Sequence, residues 1–311
     1  LTAAAAIGAM ELIRRLPDTP PWWLGNVSGS IAYRVAGKRR DQARANLRRV
    51  VEWMAAHGVG DERYRRAARD PRALEAIVRS AFRHHAHYYI ELARAPRFDP
   101  HYLESRLFVE TPDEVEVALG ERRAMIVVGL HFGTIELPAF IARNRIGTVS
   151  APMESLRNRR IQEYMVRTRT ALGVRIWPIE EAGPELLAAL RRNEPVGIIA
   201  DRDLTGGGLD VDLFGARTRI PAGPALLAAE TGAPIYVTGV RRMGPGRYRG
   251  NLRPLPEPEG ASRRERSRSV AREEVALFER IIVDAPDQWL AVFHPIWPDL
   301  APATGPQAEA R

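Results

Sequence analysis

The sequence predicts an α/β fold: a twisted, mostly parallel sheet with helices on both faces, preceded by a helical N-terminal region. Two patterns carry that reading. Over residues 1–100 apolar residues recur at three- and four-residue spacing, and beyond residue 100 short runs rich in isoleucine and valine alternate with helical stretches. Strands separated by helices need crossover connections, which give parallel pairing and cover both faces of the sheet. With 311 residues and 45% hydrophobic content, the chain can fill a large core and is not a disordered polymer. The expected division is a helical, membrane-associating region over 1–100 packed on an α/β core over 101–300, with a frayed tail over 301–311.

Taken in order, Leu47, Val50, Val51 and Met54 fall on one face of a helix over 41–56, which the glycines at 58 and 60 end. A second helix covers 71–93 and is closed by Pro96. The apolar run 124–130 is the first buried strand, followed by a helix over 136–145 and a strand over 146–151. Helices over 157–172, 184–192 and 221–231 then alternate with strands over 174–178, 195–200 and 234–240. A late helix covers 273–283, and no internal repeat or low-complexity tract interrupts the order.

The net charge is +8, and Lys38 is the only lysine, so the excess is arginine gathered at 38–49, 157–169, 241–253 and 263–272. That balance suits nucleic acid or an anionic membrane surface, although such clusters also occur as solvated helix faces. No stacking-aromatic platform or nucleic-acid motif is present, so the membrane surface is the expected partner and nucleic acid is not. No apolar run reaches the roughly 18 residues of a membrane-spanning helix. Residues 1–10 are apolar and small, and Arg14, Arg15, Trp22 and Trp23 follow them. A secretory signal has its charges ahead of the apolar core, the reverse of this order. An apolar helix followed by paired indoles suits a lipid–water interface, and equally a helix docked on the core. Without cysteine there are no disulfides and no thiolate metal sites, and no metal or cofactor is expected.

The most informative stretch begins where the 124–130 strand stops, with His131, Gly133 and Glu136. Ligand sites in α/β sheets lie beyond the carboxyl ends of strands, so a histidine there sits at a mouth. Gly133 permits the sharp turn needed to bring Glu136 back towards the imidazole. A carboxylate on one ring nitrogen fixes the tautomer and leaves the other nitrogen free to take a hydroxyl proton. A histidine and a glutamate at this spacing also occur by chance. The strand-end position strengthens the pair, as does the lack of a nucleophile elbow, a phosphate loop or a zinc-protease motif. A second strand, ending at Ala200, runs into Asp201, Arg202 and Asp203, which must either pair or face a cleft. Arg217 and Arg219 stand just before Pro221 and Gly223 at a helix start, a plausible anion seat or simply a capped turn. His84, His85 and His87 crowd one helix with no obvious carboxylate partner, and read as a cleft wall or surface. His294, beside aromatics, reads as packed or hydrogen-bonded.

In combination these segments resemble the bacterial glycerolipid and lipid A acyltransferases. His131 and Glu136 match that family's His-x4-Asp/Glu motif. Residues 199–202 resemble its second block, 220–224 its third, and 232–237 its proline-containing fourth. The likeness is greatest to the branch holding the lipid A late acyltransferases and the phosphatidylinositol mannoside acyltransferases of actinobacteria. Residues 43–48, Tyr88, Tyr89, Glu91, Trp289, His294 and Trp297 support it, and it runs from about residue 20 to 300. The third block lacks the Glu and Thr of the glycerol-phosphate enzymes, which argues against glycerol 3-phosphate as acceptor. The mannoside branch carries glutamate where Asp201 stands. The resemblance implies acyl transfer from acyl-CoA, as co-substrate, or from acyl carrier protein to a glycolipid hydroxyl, at the cytoplasmic face of the plasma membrane. A phosphatidylinositol mannoside is the expected acceptor and lipid A the alternative. It implies His131 as base, with Glu136 orienting it, and an active-site place for Asp201. Backbone N–H groups near Gly133, or a nearby arginine, would hold the oxyanion. Arg157, Arg160, Arg202, Arg219 and Gly223 would hold donor or lipid phosphates. A reading of another class is a basic, non-catalytic protein that binds membranes or nucleic acid. The steep salt dependence of phosphate binding would reveal the nucleic-acid version.

Overall fold

The computed structural model describes residues 3–121 and 123–301. The first hundred residues form α1 (Ala3–Arg15), α2 (Thr19–Val35), α3 (Gly37–His57), α4 (Glu62–Arg66), α5 (Pro71–Arg94) and the start of α6 (Pro100–Glu104). There follow β1 (Leu107–Glu110), α7 (Asp113–Gly120), β2 (Ile126–Gly129), α8 (Glu136–Arg145), β3 (Val149–Met153), α9 (Arg159–Ala171), β4 (Val174–Pro178), α10 (Ala182–Arg191) and β5 (Val196–Ile199). The remainder is β6 (Leu209–Leu213), β7 (Ala216–Ile220), α11 (Gly223–Thr231), β8 (Ile235–Gly244), β9 (Arg247–Pro254) and α12 (Arg263–Asp284), then three short 3-10 turns. The expected tail over 301–311 lies, past Ala301, outside the described residues.

Local chemistry sets these boundaries. The Asp70 carboxylate accepts the backbone N–H groups of Arg72 and Ala73, and Pro71 opens α5 where no donor is needed. Gly58, in the left-handed region, closes α3. Ser262 and Glu265 cap α12 reciprocally, which starts that helix ten residues earlier than its apolar periodicity suggests. Helix α2 lies close along α5. A side chain at Gly29 would overlap the α5 backbone at Phe82 and Arg83, so glycine there is what allows the contact.

The main sheet has the order β1-β9-β8-β2-β5-β3-β4, with β6 and β7 forming a separate antiparallel hairpin. Strands β8, β2, β5, β3 and β4 are mutually parallel, as expected. Strand β9 returns antiparallel to β8 through a two-residue turn at Pro245 and Gly246, and carries β1 with it. A turn that short cannot make a parallel crossover, so this edge of the sheet runs the other way. Strand β2 is buried at every position. Ile126 and Val128 join the large core with Val196, Ile198, Leu186 and Phe278, while Val127 packs on the opposite face with Val115 and Leu119.

Candidate active site

Strand register builds the site. In the parallel pair β2–β5, Gly129 stands opposite Ile199, so two residues further on His131 and Asp201 meet beyond the carboxyl ends of adjacent strands. On the other side, β2 and β8 are in register at Val128 and Val237, and bridge again at Gly133 and Val240. The chain after β2 takes five residues where β8 takes three, and the excess loops His131 out at the mouth. Gly133 (φ 53°) makes this possible, because a Cβ there would overlap the Val240 carbonyl.

The His131 Nδ1 lies 2.6 Å from Asp201 Oδ1, while Asp201 Oδ2 accepts the His131 backbone N–H at 3.0 Å and the Trp289 indole N–H at 2.8 Å. Asp201 is buried and the His131 side chain is 31% exposed. Burial pushes the Asp201 carboxyl up, but the neighbouring His131 charge and the N–H donors of His131 and Trp289 outweigh it and hold the group below its ordinary range. A permanent carboxylate on Nδ1 selects the tautomer whose Nε2 carries the lone pair. Nε2 has no hydrogen-bond partner among the described residues.

Glu136 does not hold the imidazole. Its carboxylate is clamped by Arg169, at 3.0 Å from Nη2 and 3.2 Å from Nε, and Arg169 also reaches the Tyr88 hydroxyl. Both partners are largely buried. A buried carboxylate needs a cation, and Arg169 of α9 supplies it. The motif glutamate therefore ties α8 to α9 and α5.

The backbone donors expected near Gly133 are also occupied. Gly133 N–H donates to the Gln288 carbonyl at 2.9 Å and Thr134 N–H to the Val240 carbonyl at 2.9 Å, so neither is left for an oxyanion. Arg202 is different: it is half-buried and has no hydrogen-bond or ion-pair partner among the described residues. Burial holds its guanidinium below its ordinary range, against the opposing pull of Asp201 and Glu154. Asp203 accepts the backbone N–H groups of Thr205, Gly206 and Gly208, which shapes the loop after β5. Arg219 donates to the Gly206 and Gly208 carbonyls of that loop. Arg157 and Arg160 are exposed before and in the first turn of α9, and Gly223 opens α11. Glu136, Arg160, Arg219 and Gly223 make no hydrogen bond or ion pair with either residue of the His131–Asp201 pair.

His294, which follows a short 3-10 turn, is pushed down to about 4 by burial and by the nearby charges of Arg202, His131 and Arg39. His85 lies 3.2 Å from Arg39, whose guanidinium sits over Phe293. His87 is buried against Trp22, at 4.1 Å between ring centres, and Trp23 is turned outward and 66% exposed. Among the described residues no group of histidines and carboxylates is arranged to hold a metal ion, and no helix is long and apolar enough to cross a membrane.

The model of the bacterial lipid A biosynthesis acyltransferases matches residues 1–298, nearly the whole chain. The chain belongs to that family. This acyltransferase is 30% identical over 230 residues to a phosphatidylinositol mannoside acyltransferase of Mycolicibacterium smegmatis, a match covering 73% of this chain and 70% of that protein. The protein of the same name from Mycobacterium tuberculosis is 29% identical over 199 residues, covering 60% of this acyltransferase and 63% of its relative. Among solved structures, a 1-acyl-sn-glycerophosphate acyltransferase of Thermotoga maritima overlaps 78% of this acyltransferase and 96% of its own chain. It does so at 15% identity and a TM-score of 0.37, too loose a likeness to bear on fold or function.

Proposed function

We propose that this acyltransferase moves a fatty acyl group from a thioester, acyl-CoA or acyl carrier protein, to a hydroxyl of a phosphatidylinositol mannoside, with His131 as general base and Asp201 as its orienting carboxylate. The observation that carries the chemistry is the His131–Asp201 pair at 2.6 Å, at the open ends of β2 and β5. The names of the two mycobacterial relatives support the acceptor.

In this reading Nε2 takes the proton of the acceptor hydroxyl as its oxygen attacks the thioester carbonyl carbon. The imidazolium that forms is stabilised by Asp201, which stays ionised. The tetrahedral intermediate collapses with cleavage of the C–S bond, and the proton on Nε2 passes to the departing thiolate. No covalent acyl-enzyme, metal or cofactor enters. Arg202 is the cation placed to meet the developing oxyanion or a substrate phosphate, since the nearby backbone donors are occupied. Arg157, Arg160, Arg219 and Gly223 are assigned to the outer reach of the donor or the lipid phosphates, as exposed or half-exposed groups. The reaction takes place with the protein held peripherally on an anionic membrane surface, at the cytoplasmic face of the plasma membrane. Exposed apolar side chains of α2 support that placement: Trp23, Ile31 and Val35, beside Arg34 and Lys38.

The test is mass spectrometry of phosphatidylinositol mannoside and of lipid A precursor after incubation with palmitoyl-CoA. The expected result is one added acyl group on the mannoside and none in His131→Ala, since loss of a general base costs about 10²–10⁴-fold. Acylation of lipid A precursor alone would reassign the acceptor. An unimpaired His131→Ala would remove the base.

A further inference from the structure

Arg242 sits in one of the arginine-rich stretches that composition assigns to the surface, yet its side chain is fully buried. It lies near the end of β8, one residue before the register with β9 shifts. Three bonds fix it. Nε pairs with Glu91 Oε2 of α5 at 2.7 Å. Its backbone N–H and C=O close a two-point contact with the Gln288 side-chain amide, at 2.8 and 2.9 Å. Nη2 donates to the Gly133 carbonyl at 2.5 Å. That last oxygen belongs to the loop that throws His131 outward, two residues from the base.

Apart from the His131 N–H, which Asp201 accepts, the other anchors of the loop are backbone bonds. His131 O accepts Leu290 N–H, Gly133 N–H donates to Gln288 O, and Thr134 N–H donates to Val240 O. The Gly133 carbonyl is held by a charged side chain, Arg242, whose Nε is bolted to α5. A buried guanidinium is costly to desolvate, and a hydrophobic residue of similar size in its place is often neutral or stabilising. Stability therefore gives no compelling reason for a buried arginine here. Its planar fork does something an apolar residue cannot do: it fixes a carboxylate and a carbonyl relative to one another.

We infer that Arg242 is a positioning residue for the acyl-transfer reaction: it clamps the Gly133 carbonyl against Glu91 of α5, and so sets the placement of His131 on Asp201. Arg242 touches neither substrate nor the reacting atoms and acts through the loop. A displacement of about 1 Å at the base lowers turnover by roughly 10²-fold. The clamp should therefore govern kcat and leave donor binding alone.

The experiment replaces the ion pair with apolar volume, as Arg242→Met with Glu91→Leu, and in parallel tests Arg242→Lys, which keeps the charge for Glu91 but not the fork. Melting temperature, kcat, KM for palmitoyl-CoA and the downfield proton resonance of His131 Nδ1–H are measured on the full chain. The double variant is expected to stay folded. Its kcat should fall by about 10- to 100-fold, KM should hold within about twofold, and the His131 resonance should shift or vanish. Arg242→Lys should show the same pattern in milder form, and it decides the matter by the same readouts if the double variant does not fold. A folded variant with near-parental kcat overturns the proposal. So does a raised KM at constant kcat, a fall in kcat with the resonance unmoved, or activity lost only in proportion to unfolded protein. The inference rests on His131 being the base: a fully active His131→Ala would defeat that reading, whereas an inactive His131→Ala with an active clamp variant defeats the inference alone.

Discussion

Replacing Asp201 with asparagine changes one atom and should nearly silence the enzyme. Asp201 receives three N–H donors: the Nδ1 side of His131 at 2.6 Å, the His131 backbone at 3.0 Å and the Trp289 indole at 2.8 Å. Asparagine offers a single oxygen. The backbone and indole donors converge on Oδ2, and neither can invert, so the amide oxygen is drawn to that position. The NH₂ group then faces Nδ1 and requires it to be an acceptor. The ring proton moves to Nε2, the nitrogen that must be bare to act as base. An asparagine that preserves geometry but imposes the wrong tautomer costs about 10⁴ in kcat in a hydrolase triad of the same logic, which corresponds to about 5 kcal/mol of activation energy. The loss of a charge-assisted hydrogen bond lowers stability by only about 1.5–3 kcal/mol. Thiol release from palmitoyl-CoA in the presence of mannoside gives the rate. Nitrogen-15 shifts of the imidazole give the tautomer, and urea unfolding gives the stability. Turnover within about tenfold of the parent, or an imidazole still protonated on Nδ1, would refute the argument.

Glu136→Gln should do the opposite: it leaves Arg169 buried without its carboxylate, which lowers stability by about 3 kcal/mol while sparing kcat per folded molecule. Paired denaturation and rate measurements check this, and a large loss of kcat at unchanged stability would contradict it. Acid should unfold the protein early. Burial pushes His84 and His294 down to about 4, His85 to about 3 and His87 to about 2, whereas unfolded imidazoles take up protons below about 6.5. As pH falls from about 6.5 towards 4 the unfolded state alone gains protons, and each of these histidines removes up to about 1 kcal/mol of stability per pH unit. Urea midpoints at pH 7, 6 and 5 should drop steeply, and a flat series would show that these imidazoles are solvated. Liposome sedimentation should show capture by anionic vesicles and partial release in high salt, with each surface arginine contributing about 1 kcal/mol. Equal capture by neutral vesicles in high salt would point to apolar insertion without charge attraction.

The parallel centre of the sheet was legible because its strands are buried on both faces and therefore read as unbroken apolar runs, as at Ile126–Gly129. The edge was not. Strand β9 reads RYRGNLRP, with only Tyr248 and Leu252 as large apolar residues among its arginines, so no apolar run sets it apart from a loop. The site was half legible for a related reason. Proximity in sequence suggested Glu136 as the partner of His131, but the bond that forms is set by register between β2 and β5 and joins positions seventy apart. A signal was present: two apolar strands, each running into an ionisable residue just past its end, His131 after one and Asp201 after the other. Trp289 belonged to the family likeness without a role, and a buried indole N–H always raises the question of its acceptor. Arg169 and Arg242 were hidden by their company, since nothing in a run of arginines marks the one that turns inward.

The clasp around His131 has a consequence for the order in which the molecule is made. Among the described residues all nine strands are complete by Pro254. The Asp201 carboxylate, however, gets its indole donor from Trp289, and the His131 loop is pinned by Gln288 and Leu290. A ribosome-bound chain with every strand in place therefore still lacks a locked imidazole. The geometry of the His131–Asp201 pair thus depends on a segment that the strands themselves do not include.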